Sequence, residues 1–187
     1  MRKFKNLVLA VAATLALATG LAVTSPATAN AQGLDEQQVM KKVRRELVKL
    51  PYYGVFDNLA YSVEGGTVTL FGQVVRPSTK DDAERRVAKI EGVERVVNQI
   101  EVLPLSSFDN SIRVRSYRML ARAGGLYRYF MGANPSVHIV VNRGHLSLEG
   151  VVSNEGDRRL AYITARGVPG VFSVTNNLRT DQEVRAY

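Results

Sequence analysis

The stretch Tyr61-Ser62-Val63-Glu64-Gly65-Gly66-Thr67-Val68-Thr69-Leu70-Phe71-Gly72-Gln73-Val74 alternates apolar and polar residues on either side of a Gly-Gly pair. Two alternating runs joined by two glycines predict a β-hairpin, because glycine takes up positive φ at no steric cost and so closes a two-residue turn. Pairing Glu64 with Thr67 places Val63 opposite Val68 and Tyr61 opposite Leu70. One face is then apolar, and Ser62, Glu64, Thr67 and Thr69 occupy the other. A slip of one residue would turn every one of these side chains to the wrong face, so the pattern itself specifies the register.

The hairpin occurs twice. Residues 63–102 align without a gap on residues 141–180: Val63 with Val141, Gly66 with Gly144, Leu70 with Leu148, Gly72 with Gly150, Val74 with Val152, Ala83 with Ala161, Gly92 with Gly170, Val93 with Val171, Val96 with Val174 and Asn98 with Asn176. Such regular spacing of glycines and apolar residues marks an internal repeat. Before the first hairpin, Val39, Val43, Leu47 and Leu50 form one apolar stripe along a helix spanning Asp35 to Leu50, and Asp109 to Ala123 is its counterpart. After the hairpin, Ser78 followed three residues on by Asp81 predicts a capped helix that buries Ala83, Val87 and Ile90 and stops at Gly92. Val93 to Val102 supplies the last strand. In the second copy the turn is Arg143-Gly144, the cap is Ser153 or Asn154, the helix buries Ala161, Ala165 and Val168, and a few extra residues fall around Gly125 to Asn134. The predicted fold is α/β (α+β), two tandem α-β-β-α-β sandwiches, each a three-stranded mixed sheet with two helices. The expected boundaries are 32–104 and 105–180, joined through Pro104-Leu105-Ser106-Ser107, with 181–187 as a C-terminal tail.

Residues 1–31 read as a leader. Arg2, Lys3 and Lys5 precede the apolar run Leu7 to Val23, and Ala29-Asn30-Ala31 offers a cleavage site before Gln32. Export to the periplasm is the expectation. The chain has 187 residues and no cysteine, which excludes disulfides, thiolate metal sites and a cysteine nucleophile. A formal net charge of +8 suggests a polyanionic partner, yet residues 32–104 balance 11 basic with 11 acidic side chains, whereas residues 105–187 carry 11 arginines against 6 acids. The excess therefore sits in the second repeat, and export argues for lipid over nucleic acid.

The runs Gly66-Thr67-Val68-Thr69-Leu70-Phe71-Gly72 and Gly144-His145-Leu146-Ser147-Leu148-Glu149-Gly150 are each followed at the same distance by Gly92-Val93 or Gly170-Val171, and then by Val96-Val97-Asn98 or Val174-Thr175-Asn176. In this the chain resembles the BON domain, named for bacterial osmotically inducible and nodulation proteins. The resemblance implies an α/β sandwich, an envelope location, no catalytic residues and a role in holding or sensing phospholipid membranes under osmotic or envelope stress. The lipidated N-terminal cysteine of some tandem members is missing, so any membrane contact falls to the folded repeats.

No catalytic, cofactor or metal set emerges from the residues. His138 and His145 lie far apart on one hairpin, with His138 opposite Glu149 as an expected solvated pair. Asp81 and Asp82 suit a helix N-terminus, and Asn98 and Asn176 suit a structural hydrogen bond. The charged helices carry more. Arg115, Arg118 and Arg122 cluster on one helical face, and no acid intervenes between Asp109 and Glu149. Beyond them Tyr127, Arg128, Tyr129, Phe130 and Met131 mix rings with a cation, the composition of an interfacial anchor. Lys41, Arg45 and Lys49 form a secondary basic face in the first repeat. The leading expectation is peripheral binding to anionic phospholipid through Arg115, Arg118, Arg122, Tyr127, Arg128 and Tyr129, with core packing of the aromatic run as the competing reading. The functional alternative is a soluble periplasmic protein-interaction or chaperone-like module that binds envelope proteins through sheet faces and edge strands.

Overall fold

The computed structural model describes residues 29–186. The expected leader lies outside the described residues except for Ala29–Ala31, which open the first helix. The first repeat runs α1 (Ala29–Leu47), β1 (Asn58–Glu64), β2 (Thr67–Val74), α2 (Pro77–Val87), β3 (Arg95–Asn98) and β4 (Glu101–Val102). The second runs α3 (Ser107–Arg122), a single 3-10 turn (Leu126–Tyr129), β5 (Val137–Asn142), β6 (His145–Val152), α4 (Glu155–Arg166), β7 (Ser173–Thr180) and α5 (Asp181–Arg185).

The hairpin registers are those the alternation predicts: Glu64 pairs with Thr67, Val63 with Val68 and Tyr61 with Leu70, while Asn142 pairs with His145 and His138 with Glu149. In each sheet the second hairpin strand is central, antiparallel to the first strand and parallel to the last. A parallel partner requires a crossover, and α2 and α4 supply it. Each sheet therefore has one face packed by two helices. Val39, Val43, Leu47, Val68, Leu70, Val74, Ala83 and Val87 fill the first core, and Ile112, Leu120, Ile139, Leu146, Leu148, Ala161 and Ala165 fill the second.

Three local expectations change. Helix α2 starts at Pro77, with Arg76 as an extended N-cap residue and no side-chain cap, so Ser78 does not cap it. Proline holds the residue before it extended and, at the first helical position, needs no N–H partner, so the helix begins there. The last strand of the first repeat is interrupted at Gln99 and Ile100, where Asn98 Oδ1 accepts from the Ile100 N–H, yet Leu70 opposite Asn98 and Gln73 opposite Glu101 keep one register. The expected tail begins with α5, started by a capping box in which Thr180 and Glu183 satisfy each other's backbone N–H groups.

The paired asparagines have one structural job in both repeats. Asn98 Nδ2 donates to the Lys80 carbonyl and Asn176 Nδ2 to the Arg158 carbonyl, while their Oδ1 atoms accept from Ile100 N and Leu178 N. Each thus ties the last strand to the crossover helix, as repeated polar residues at equivalent points suggest.

The two repeats touch. The segment Tyr53–Asp57, between α1 and β1, lies against β5: the Ile139 N–H donates to the Val55 carbonyl across 2.7 Å, and Val55 and Phe56 pack on the second core. Phe56, Tyr117 and Phe130 continue as an edge-to-face series. His138 and Val140 point away from their own helices but are buried beneath the first repeat.

Candidate functional site

Helix α3 is positioned by its N-cap. Ser106 Oγ accepts from Asp109 N, and Ile112, Ser116 and Leu120 face the sheet. At 100° per residue, Phe108, Ser111, Arg115, Arg118 and Arg122 fall within a sector of about 80° on the opposite side. Arg118 and Arg122 are exposed, and among the described residues neither has a carboxylate within 4.0 Å. Arg115 is half-buried, and its Nε donates to the Pro169 carbonyl at 3.1 Å, which pins the guanidinium beside the turn that ends α4. At the N-terminal end of the same sector Phe108 is 45% exposed and Phe172 68% exposed, their rings 5.7 Å apart. His145 meets Phe172 edge-on, and Leu105 projects nearby in sequence, almost wholly exposed. The surface therefore combines unpaired cations with an apolar end.

The aromatic run after α3 divides differently from the interfacial expectation. Leu126, Tyr129 and Phe130 are buried, with Tyr129 only 6% exposed, whereas Tyr127 and Met131 remain exposed. Tyr129 Oη accepts from Ser153 N and donates to Asp157 Oδ2 at 2.6 Å. Arg128 lies over the Tyr129 ring, 4.6 Å from its centroid, and pairs with Asp157. Tyr129 and Arg128 thus brace the first turn of α4; Tyr129 is buried there, whereas Arg128 stays exposed while paired with Asp157. A buried phenol needs a polar partner, and Asp157 at the helix N-terminus is there to take it. The apolar part of the site lies with Phe108 and Phe172 at the other end of the helix, with Tyr127 the one site candidate of this run left unengaged.

The secondary basic face is more nearly neutral. Lys49 pairs with Glu46, Glu46 also takes Arg86, and Lys42 pairs with Glu91. Lys41 and Arg45 remain exposed without such partners among the described residues. The cleft of about 350 Å³ between α1 and α2 is lined by acids and bases together.

A buried polar cluster lies at the contact between the repeats. His138, expected to be a solvated partner of Glu149, is only 8% exposed: its Nδ1 is 3.2 Å from the Gly54 carbonyl and its Nε2 3.3 Å from Tyr53 Oη. Glu149 accepts from Asn177 instead. Asp57 is buried and accepts from Gly54 N and Val75 N, yet desolvation raises its pKa above the ordinary 3.8. Burial also pushes the Tyr53 phenol up to about 12 and lowers the Arg113 guanidinium below its usual range. Arg113 donates to the Val141 carbonyl at 2.7 Å, and Asp109 accepts from Arg143 N and Gly144 N in the β5–β6 turn. One sequence signal was available: at 100° per residue Arg113 falls on the same side of the helix as Ile112, Ser116 and Leu120. Nothing local announces the burial of His138, which depends on the other repeat.

Among the described residues no three His, Asp or Glu side chains converge as metal ligands, and no helix is long and apolar enough to cross a membrane. The BON domain family model matches twice, over residues 35–104 and 109–182. No curated protein matches the sequence. Among solved structures, the chain is similar to the C-terminal domain of CdsD, the structural protein of the Type III secretion system of Chlamydia trachomatis. That likeness has 12% identity over 79% of this chain and 67% of that one, with a TM-score of 0.31. A second CdsD structure is similar at 12% identity over 80% of this chain and 96% of that one, with a TM-score of 0.28.

Proposed function

The chain belongs to the BON domain family, whose members are generally non-catalytic and commonly envelope proteins, and on that premise we propose that it attaches peripherally to anionic phospholipid through its second repeat. The observation that carries this reading is the one-sided sector of α3: Arg118 and Arg122 unpaired, Arg115 held beside them, and Phe108 with Phe172 at one end. A planar guanidinium fork suits phosphate oxygens, and each arginine near an anionic surface contributes roughly 1 kcal/mol. The two rings add shallow apolar insertion. Attachment of this kind is weak, reversible and screened by salt, which suits a protein of the periplasmic face that maintains the envelope under osmotic or envelope stress.

The test is co-sedimentation with phosphatidylglycerol-containing and with purely phosphatidylcholine vesicles. Binding to the anionic vesicles alone is expected, falling steeply with salt. Arg118→Glu with Arg122→Glu leaves the Arg115–Pro169 contact intact and is expected to weaken binding by at least about thirtyfold, since two favourable contributions become repulsive. Binding unchanged in this double variant, or equal on both vesicle types, overturns the reading. Recovery of envelope proteins by cross-linking with no vesicle binding would replace it by the protein-interaction alternative.

A further inference from the structure

We propose that the contact between the two repeats is an acid-released latch, in which protonation of His138 frees the Tyr53–Asp57 segment from the edge of β5. Backbone carbonyls only accept hydrogen bonds, so the Gly54 carbonyl requires the proton of the neutral ring on Nδ1. Nε2 is then bare and accepts from Tyr53 Oη. The ring is stacked at a tilt on Tyr53 with centroids 5.4 Å apart, and one bond further along the segment the Val55 carbonyl takes the Ile139 N–H. Both ring nitrogens are thus spent on groups of the first repeat. A proton added at Nε2 forces the Tyr53 hydroxyl to turn from donor to acceptor and leaves a cation on a ring that is only 8% exposed.

A second proton creates a cation on a ring that is only 8% exposed. The charged groups around the ring are Asp57 on the docked segment, Glu149 opposite on β6, and Arg113 on α3 beyond Asp57. Neither carboxylate bonds to the ring: Asp57 is committed to Gly54 N and Val75 N, and Glu149 to Asn177. Their attraction is outweighed by desolvation, which lowers the imidazole pKa from 6.5. A base whose pKa is depressed in the docked state and ordinary in the released state binds more protons when released. The latch is therefore closed well above pH 6.5 and weakens as the pH falls through 6.5, approaching tenfold per pH unit until the docked pKa is reached. Asp57 acts with the opposite sign, since its raised pKa favours the docked state as it takes up a proton, but only in the lower, carboxylate range. Tyr53, at about 12, keeps its proton throughout.

Amide hydrogen exchange on the mature chain at pH 7.5, 6.5 and 5.5, corrected for intrinsic rates, reads the latch at Ile139. Its protection is expected to fall by up to about tenfold between pH 7.5 and 5.5, most of it below pH 6.5, while Leu148, inside the second sheet, keeps its protection. His138→Gln retains a donor and an acceptor but does not titrate, and its Ile139 profile is expected to be flat. NMR titration of the wild-type ring gives an independent reading, with a midpoint below 6.5. A pH-independent Ile139, an equal loss at Leu148, a pH dependence retained in His138→Gln, or a His138 midpoint at or above 6.5 each overturns the latch.

Discussion

Gly150→Ala is expected to unfold the second repeat, and Gly72→Ala the first. Both glycines sit inside a central strand at φ +114°, where a Cβ would lie 2.1 Å from a neighbouring carbonyl oxygen, that of Ser136 or of Asn58. The obstacle in each case is backbone paired across the hairpin, with Gly150 opposite Val137 and Gly72 opposite Leu59, so no side-chain rotation relieves it. Either the strands part or the residue leaves the conformation, and both outcomes break the ladder on which the core is built. A cost of roughly 4 kcal/mol or more follows from combining forbidden φ with a backbone clash. Domains of this size have about 5 kcal/mol in hand. Gly65→Ala is the control, since Gly65 also has positive φ, +52°, but nothing lies within 4 Å of its Cβ position; it is expected to cost only about 1 kcal/mol. Urea denaturation followed by circular dichroism separates the two cases, and a Gly150→Ala protein with a near-native midpoint would refute the strain argument.

These glycines also show which parts of the molecule could be read in advance. Gly72 and Gly150 recur at the same place because each strand meets a carbonyl there, and the repeat exposed them as a matched pair. Register was legible for a related reason: in an alternating strand every residue votes on the same question, so Val63, Val68, Tyr61 and Leu70 agree. Helix starts were less legible because several residues compete for one role. Ser78 had the composition of a cap, but Pro77 beside it fixed the backbone first. The site divided along the same line. Arg118 and Arg122 could be placed from helical periodicity alone, whereas Tyr129 differs from exposed Tyr127 only through Asp157, 28 residues away in sequence, and Ser153. His138 was hardest, because its own hairpin directs it to solvent and the first repeat then covers it. Contacts between repeats leave no period in either one.

Asp109→Ala is expected to destabilise the second repeat by about 3–5 kcal/mol, through charge and not through lost volume. The carboxylate is buried, and its two oxygens accept from Arg143 N at 2.9 Å and Gly144 N at 2.8 Å, closing a turn whose two residues both have positive φ. Arginine is strained at φ +52°, and these two bonds hold the Arg143–Gly144 turn in place. One turn along α3, Arg113 is buried with a single bond to the Val141 carbonyl and no partner for Nε among the described residues. The negative charge of Asp109, and after it that of Asp57, favours that cation against its burial. Removing the Asp109 carboxylate leaves two open N–H groups and a buried guanidinium with Asp57 as its remaining counter-charge. The first repeat offers a comparison, since Glu36 accepts from Gly65 N in the matching turn but in an exposed setting with no buried arginine behind it. Glu36→Ala should cost about 1 kcal/mol or less. Arg113→Leu combined with Asp109→Ala isolates the charge effect: once the cation is gone, deleting the carboxylate leaves only the turn bonds to lose. The double variant should therefore be more stable than the sum of the two single costs predicts, by at least about 1 kcal/mol. Strict additivity in urea denaturation would show that Asp109 serves the turn alone and that the Arg113 charge is supported by something else.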